Sequence, residues 1–270
     1  MIPYIHVPPI KLGPLTIEPF GIFVALGILL AARLLARQAE REGLDSTPLQ
    51  DYAPWGVGVG VVFGHFFHLF AYHPEELSKS PWQILKVWDG LSSFGGLIGG
   101  ILAAVFFFRA RKLRFRDYAD AFALAVAPGW GVARLGCFAV HDHPGTRTDF
   151  FLAVNFPQPM GPRHDLGLYD AAFLFAVAGL LWALSNAGKL RGKLLPLLAI
   201  LYAFGRFFFD SMRATDLSYV DARYLGLTPA QFGCFALIAF GIYGLVKWQA
   251  PARKATPDVG ANGGVQAPTR

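Results

Sequence analysis

Arg134 lies in the run GWGVARLGCFAVHDHPG (129–145), whose first half is apolar enough to sit in a membrane. A charged side chain in hydrocarbon costs at least about 2.5–3.5 kcal/mol on insertion scales, so such an arginine has either a function or an internal ion pair. The run leaves its apolar part through three consecutive ionisable residues, His141, Asp142 and His143. A second stretch, LYAFGRFFFDSMRATD, spaces Tyr202, Arg206, Asp210 and Arg213 at i, i+4, i+8 and i+11. That spacing is one face of a helix. Guanidinium groups grip phosphate through a two-pronged fork, so the stripe reads as an anion site. The simpler alternative is an internal ladder in which Arg206 pairs with Asp210 at helical spacing.

Three weaker patterns accompany these. WDGLSSFGGLIGG (88–100) has glycines at 95, 96, 99 and 100, a common device for close helix approach in membranes. The alternative there is that Ser92, Ser93 and the Gly95–Gly96 backbone border a ligand, with Asp89 just outside. His65 and His68 supply two ligands at i, i+3 in a segment without carboxylates, whereas a metal needs three or four. No metal and no cofactor is expected. Cys137 and Cys234 both fall in apolar segments and read as small buried hydrophobes, not as a disulfide. G-x-S-x-G, H-E-x-x-H and P-loop signatures are absent from the sequence.

The elements that must position these residues are membrane spans. The chain is 54% hydrophobic and only 16% charged, against about 25% in soluble domains. Seven stretches approach the roughly 20 apolar residues a span needs: 19–37, 54–72, 91–108, 119–140, 168–186, 194–210 and 229–248. The expected fold is therefore an all-α integral membrane protein with one polytopic domain over residues 1–249. The start, MIPYIHVPPIKLGPL, lacks the pattern of a cleaved signal peptide, so the first span is expected to act as its own targeting signal. Fifteen of the 24 lysines and arginines fall on one side of the alternation and seven on the other. The positive-inside rule then predicts an outside, periplasmic N-terminus and a cytoplasmic C-terminus. On this topology Arg134 lies roughly 9 Å and Arg206 roughly 6 Å below the outer helix ends, at headgroup depth. The outer loops, about 141–167 and 211–228, hold Arg147, Arg163, His164, Asp165, Asp216, Asp221 and other ionisable groups. Residues 250–270, rich in Gly, Pro and Ala, are expected to form a disordered tail. The net charge of +6 comes with no basic patch of the nucleic-acid-binding kind, so no nucleic-acid partner is expected.

At five places the chain resembles the prolipoprotein diacylglyceryl transferases of bacterial inner membranes. LGP (12–14) followed by FGIFVALG resembles the start of the family's first helix, and WDGLSSFGGLIGG resembles its Trp-Asp-Gly…His-Gly-Gly stretch. GVARLGCF resembles its arginine signature, with Arg134 at the signature arginine. PRHDLGLYDAAF resembles its Pro-Arg-His-Pro…Gln-Leu-Tyr-Glu stretch, and YAFGRFFFDSMR its tyrosine–arginine–glutamate–arginine helix. The resemblance implies transfer of the diacylglyceryl group of phosphatidylglycerol, or a related anionic phospholipid, to the lipobox cysteine of a prolipoprotein, releasing glycerol phosphate.

It further implies that Arg134 and Arg206 hold the phosphate and that Tyr202 positions a headgroup oxygen. Asp210, Arg213, Ser93, Gly95, Gly96, Arg163, His164 and Tyr169 are implied to line the headgroup site. Several positions differ from the family pattern: Phe94 stands at its histidine, Cys137 at its asparagine, Asp142 near its glutamate, Ala133 at a glycine and Gly167 at its glutamine. A base is then expected among His141, His143 and His164, with Asp142 at hand. Two other readings stay open: a non-catalytic paralogue that binds phospholipid or lipopeptide, and an anion transporter.

Overall fold

The computed structural model describes residues 1–5, 7–12, 15–87, 90–217, 220 and 222–249. Gly13, Pro14, Asp89, Asp221 and residues 250–270, which carry the tail expectation, lie outside the described residues.

Seven helices are long and apolar enough to cross a membrane, as a multi-pass membrane protein requires. They are α1 (Pro19–Arg41), α2 (Thr47–Phe67, continued by a wider turn over His68–Tyr72), α4 (Ser93–Ala110), α5 (Phe115–Val140), α6 (Leu166–Asn186), α7 (Leu194–Ser211) and α8 (Pro229–Lys247). A short α3 (Pro74–Lys79) follows α2. The second and fourth spans start earlier than the hydropathy suggested, at Thr47 and Phe115, because polar first turns continue the helices beyond their apolar parts.

Helix α5 is the hub. It packs on α1, α6 and α7, and small residues let it do so. A Cβ on Gly129 would stand 2.7 Å from Gly27 O of α1, and one on Gly136 would stand 2.8 Å from Phe23 Cβ. Without a hydrophobic drive between helices in lipid, such close backbone approach supplies the packing energy. Helix α4 lies on α2 in the same way: Cβ atoms on Gly95 and Gly99 would run into Phe67, Phe63 and the α2 backbone. The Gly95–Gly96 segment thus serves helix packing, with Gly95 in close contact and Gly96 half-buried. His65, fully buried, ties the loop after α3 to α2, with Nε2 2.9 Å from Gln83 O and Nδ1 3.1 Å from Gly90 O.

The long connection between α5 and α6 is a folded cap. Strands β4 (Pro144–Arg147), β5 (Val154–Phe156) and β6 (Gly161–Asp165) pair antiparallel, and β1 (Ile2–Pro3) adds to β5 in parallel, giving the order β1-β5-β6-β4. A separate hairpin pairs β2 (Ile10–Leu12) with β3 (Leu15–Ile17). The cap also joins the segment after α7, through a bridge between Gly145 and Arg213. The N-terminal strand and the connections after the fourth and sixth spans therefore meet on one face. Seven alternating crossings require that arrangement.

Candidate active site

The site lies where α5, α6 and α7 converge beneath this cap. Arg134 is 2% exposed and Arg206 4%. Both reach one carboxylate, Asp170 of α6: Arg134 Nε lies 3.1 Å and Arg206 Nη1 3.3 Å from Asp170 Oδ2. Arg206 Nη2 also lies 3.0 Å from Asp210 Oδ1. Asp210 accepts from Arg213 Nε at 2.8 Å and from the Thr228 hydroxyl at the N-cap of α8. The helical ladder considered for α7 is thus present, and it runs on to α6. Ser93, at the start of α4, accepts from Arg134 Nη2 at 3.4 Å.

Pairing alone does not account for this cluster. Tyr202 Oη, Arg134 Nε and Arg206 Nε are buried with no hydrogen-bond partner among the described residues. The Arg134 Nε contact with Asp170 is an ion pair without hydrogen-bond alignment. An orphaned buried donor costs about 1–3 kcal/mol, and all three orphans are groups with a hydrogen to give. Such a surplus of buried donors suits a ligand with several acceptor oxygens.

A second cluster sits where α5 ends. His141 adopts left-handed backbone geometry, φ 51°. This turns the chain so that Asp142 and His143 fold back beside Cys137. The Cys137 sulfur, a His143 ring nitrogen and an Asp142 carboxylate oxygen all lie within 4.8 Å of one another, and Arg134 Nη1 donates to Cys137 Sγ at 3.4 Å. His143 Nδ1 is hydrogen-bonded to Asp142. Partial burial works against charge on both, yet each supports the other's charge. His143 titrates above the usual histidine value and Asp142 below the usual carboxylate range. Sulfur, imidazole and carboxylate are also the donor types of a divalent transition-metal site. The Arg134 guanidinium against the sulfur opposes a cation there, and proton handling is the chemistry this trio suits.

The remaining expected residues lie elsewhere. His141 points away from the trio: its Nδ1 lies 2.6 Å from Asp165 Oδ2, and its ring stacks on Tyr4 at 4.4 Å between Phe138 and Phe156. It is 6% exposed and braces the cap. Burial raises the carboxyl of Asp165, which also caps α6 through Leu168 N. Arg163 is a strap, reaching Asp216 with both terminal nitrogens at 2.8 and 2.6 Å and Gly145 O at 3.1 Å. His164 Nδ1 meets Tyr169 Oη at 3.0 Å on the outer side of the cap, and burial lowers its titration.

The comparisons with known proteins come to the same place. The family model described as prolipoprotein diacylglyceryl transferase matches residues 9–247. The chain belongs to that family. The Chromohalobacter salexigens phosphatidylglycerol–prolipoprotein diacylglyceryl transferase is 35% identical over 77% of this chain and 79% of its own length. Proteins of the same description from Oceanobacillus iheyensis and Synechococcus elongatus are 26% and 27% identical, over 86% and 93% of the chain and 84% and 89% of their own lengths.

Two residues of these clusters, Asp170 and Cys137, carry more than the sequence predicts of them. Asp170 follows Tyr169 where the family stretch ends in glutamate, a signal that was visible. Cys137 is buried, as a small hydrophobe is expected to be, but its sulfur meets Arg134 and lies near His143 and Asp142. Two departures from the family pattern, Phe94 and Cys137, each lie against a glycine. The Phe94 ring, 5% exposed, occupies space that a Cβ on Gly233 of α8 would fill. A Cβ on Gly167 would stand 3.0 Å from Cys137 Cβ.

Proposed function

We propose that the chain transfers the diacylglyceryl group of phosphatidylglycerol to the lipobox cysteine thiol in the signal peptide of a prolipoprotein, at the outer leaflet of a bacterial inner membrane. The cap face is then periplasmic and the face richer in lysine and arginine cytoplasmic. Residues 1–249 act as a single transmembrane domain.

The observation that carries this reading is the buried donor surplus of Tyr202, Arg134 and Arg206 around Asp170. A phosphodiester offers the missing acceptors. In the reaction the acceptor thiolate attacks the glycerol carbon that bears the phosphate, the C–O bond breaks, and glycerol phosphate leaves with the electron pair. Arg134 and Arg206 hold the phosphate and stabilise the charge growing on it, where fixed donors in a dry site act most strongly. Tyr202 orients a headgroup oxygen. Asp170, Asp210, Arg213 and Ser93 aim the two guanidinium groups. His143, held by Asp142, stands at the proton-handling end of the site, since position 94 holds a phenylalanine.

Phe94 favours a second reading, a phospholipid-binding paralogue without turnover, since its ring can neither take a proton nor bind an anion. Complementation separates the two. In cells depleted of their own transferase, the wild-type chain is expected to restore lipidation of a model prolipoprotein and Arg134→Ala is not. A stably folded wild type that restores nothing would establish the binder.

A further inference from the structure

One buried nucleophile stands in the site with no role in the reaction derived above. Cys137 is 4% exposed, and its sulfur touches a guanidinium on one side and lies within 4.8 Å of the His143–Asp142 pair on the other. A cysteine that merely fills space has apolar neighbours. This one faces Arg134 from α5, His143 and Asp142 from the turn after it, with Arg213 from the end of α7 and Asp165 from β6 in the surrounding field. A cation beside a thiol and an imidazole within reach are the surroundings that produce a reactive thiolate.

We propose that Cys137 is a catalytic residue that takes the proton of the acceptor thiol. The proposal rests on the transferase reading. At rest, Cys137 and His143 share a single proton. The acceptor S–H bond breaks and its proton passes to the Cys137 thiolate, forming a Cys137 S–H bond. The acceptor thiolate then attacks as described, and the pair releases its second proton to water after glycerol phosphate departs. Proton transfer to Cys137 is uphill to the extent that Arg134 and His143 favour its thiolate over an ordinary thiol, whose value is about 8.5, and the attack that consumes the acceptor thiolate draws it forward. The proton path thus runs along the end of α5, where the trio lies, and not through α4, where Phe94 offers no lone pair.

Two measurements test this on the full chain in lipid nanodiscs. The first follows labelling by methyl methanethiosulfonate against pH, with peptide mass spectrometry counting Cys137 and Cys234 separately. Cys137 is expected to react at pH 6 within about threefold of its rate at pH 8, whereas an ordinary thiol slows by about 80-fold. His143→Ala is expected to restore the steep dependence. A Cys137 that follows the ordinary profile, or that the reagent never reaches, overturns the proposal. The second measures lipidation by Cys137→Ala, Cys137→Ser and Cys137→Asn. About a 100-fold loss is expected for alanine and asparagine, and a smaller loss for serine. A Cys137→Asn variant within threefold of wild type would assign the residue to positioning Arg134 and overturn the proposal alone. A wild type that lipidates nothing would sink the transferase reading as well.

Discussion

Two clusters lie side by side at the head of α5, and they are built on opposite principles. The arginine cluster draws its members from regular stretches of α4, α5, α6 and α7 and buries Arg134, Arg206, Asp170 and Asp210. Its guanidinium groups stay charged at any accessible pH, so it is a fixed electrostatic frame. The trio of Cys137, Asp142 and His143 hangs on the last turn of one helix and a single left-handed residue, and Asp142 is exposed. Its histidine, His143, titrates above the usual histidine value and so changes charge near neutral pH. A site for a phosphate can be static, whereas a site for a proton has to change charge and give the proton back.

Breaking the frame is expected to cost most. Arg134→Ala removes the group common to both clusters, and lipidation measured on a model prolipoprotein is expected to fall roughly 1,000-fold. His143→Ala leaves the frame intact and is expected to lose about 100-fold, in the range for removing a positioned base. His141→Ala is the control. It takes away the Asp165 contact and the Tyr4 stack, so thermal unfolding should shift down while turnover per folded molecule stays near wild type. Equal losses of turnover in the two histidine variants would refute the separation drawn between them.

Asp142→Asn sharpens the comparison through pH. The competent form of the Cys137–His143 pair holds one proton and is lost only when pH falls far enough to add a second, below the raised value of His143. Without the Asp142 carboxylate the pair loses its main support for positive charge, so the acid limb of the rate profile is expected to move to lower pH, with about a tenfold loss at neutral pH. An unmoved limb would remove His143 from the proton path. Gly233→Ala is expected to affect turnover least. The added methyl meets the Phe94 ring and costs about 1–3 kcal/mol of stability by overpacking, read as a lower unfolding temperature with the pH profile unchanged.

The frame was far more legible in the sequence than the trio, for a physical reason. Apolar spans make any charge conspicuous, so Arg134, Arg206 and Asp210 stood out. Helical periodicity put Tyr202 with them. Asp170 falls inside the expected span 168–186, but as its third residue it stands next to the ionisable outer loop and so is less conspicuous than a charge deeper in a span. His141 and His143 are indistinguishable by composition; only the left-handed residue between helix and strand sends one into the cap and the other to the thiol. The cap itself was unreadable, since PGTR and GPRHD show neither the alternation nor the β-branched content of ordinary strands.

The parallel pairing of Ile2 with Val154 and Pro3 with Asn155 carries a further consequence, for assembly. It closes a ring of about 150 residues, among the most distant contacts this chain can make, and such contacts form late. Tyr4, next to that strand, completes the stack on His141. During synthesis the first segment must therefore wait on its side of the bilayer until the fourth span has been threaded across. The trio at the end of α5 is then braced before α7 is made, so a half-made chain already holds Cys137 beside Arg134 but still lacks Arg206, the second arginine of the frame.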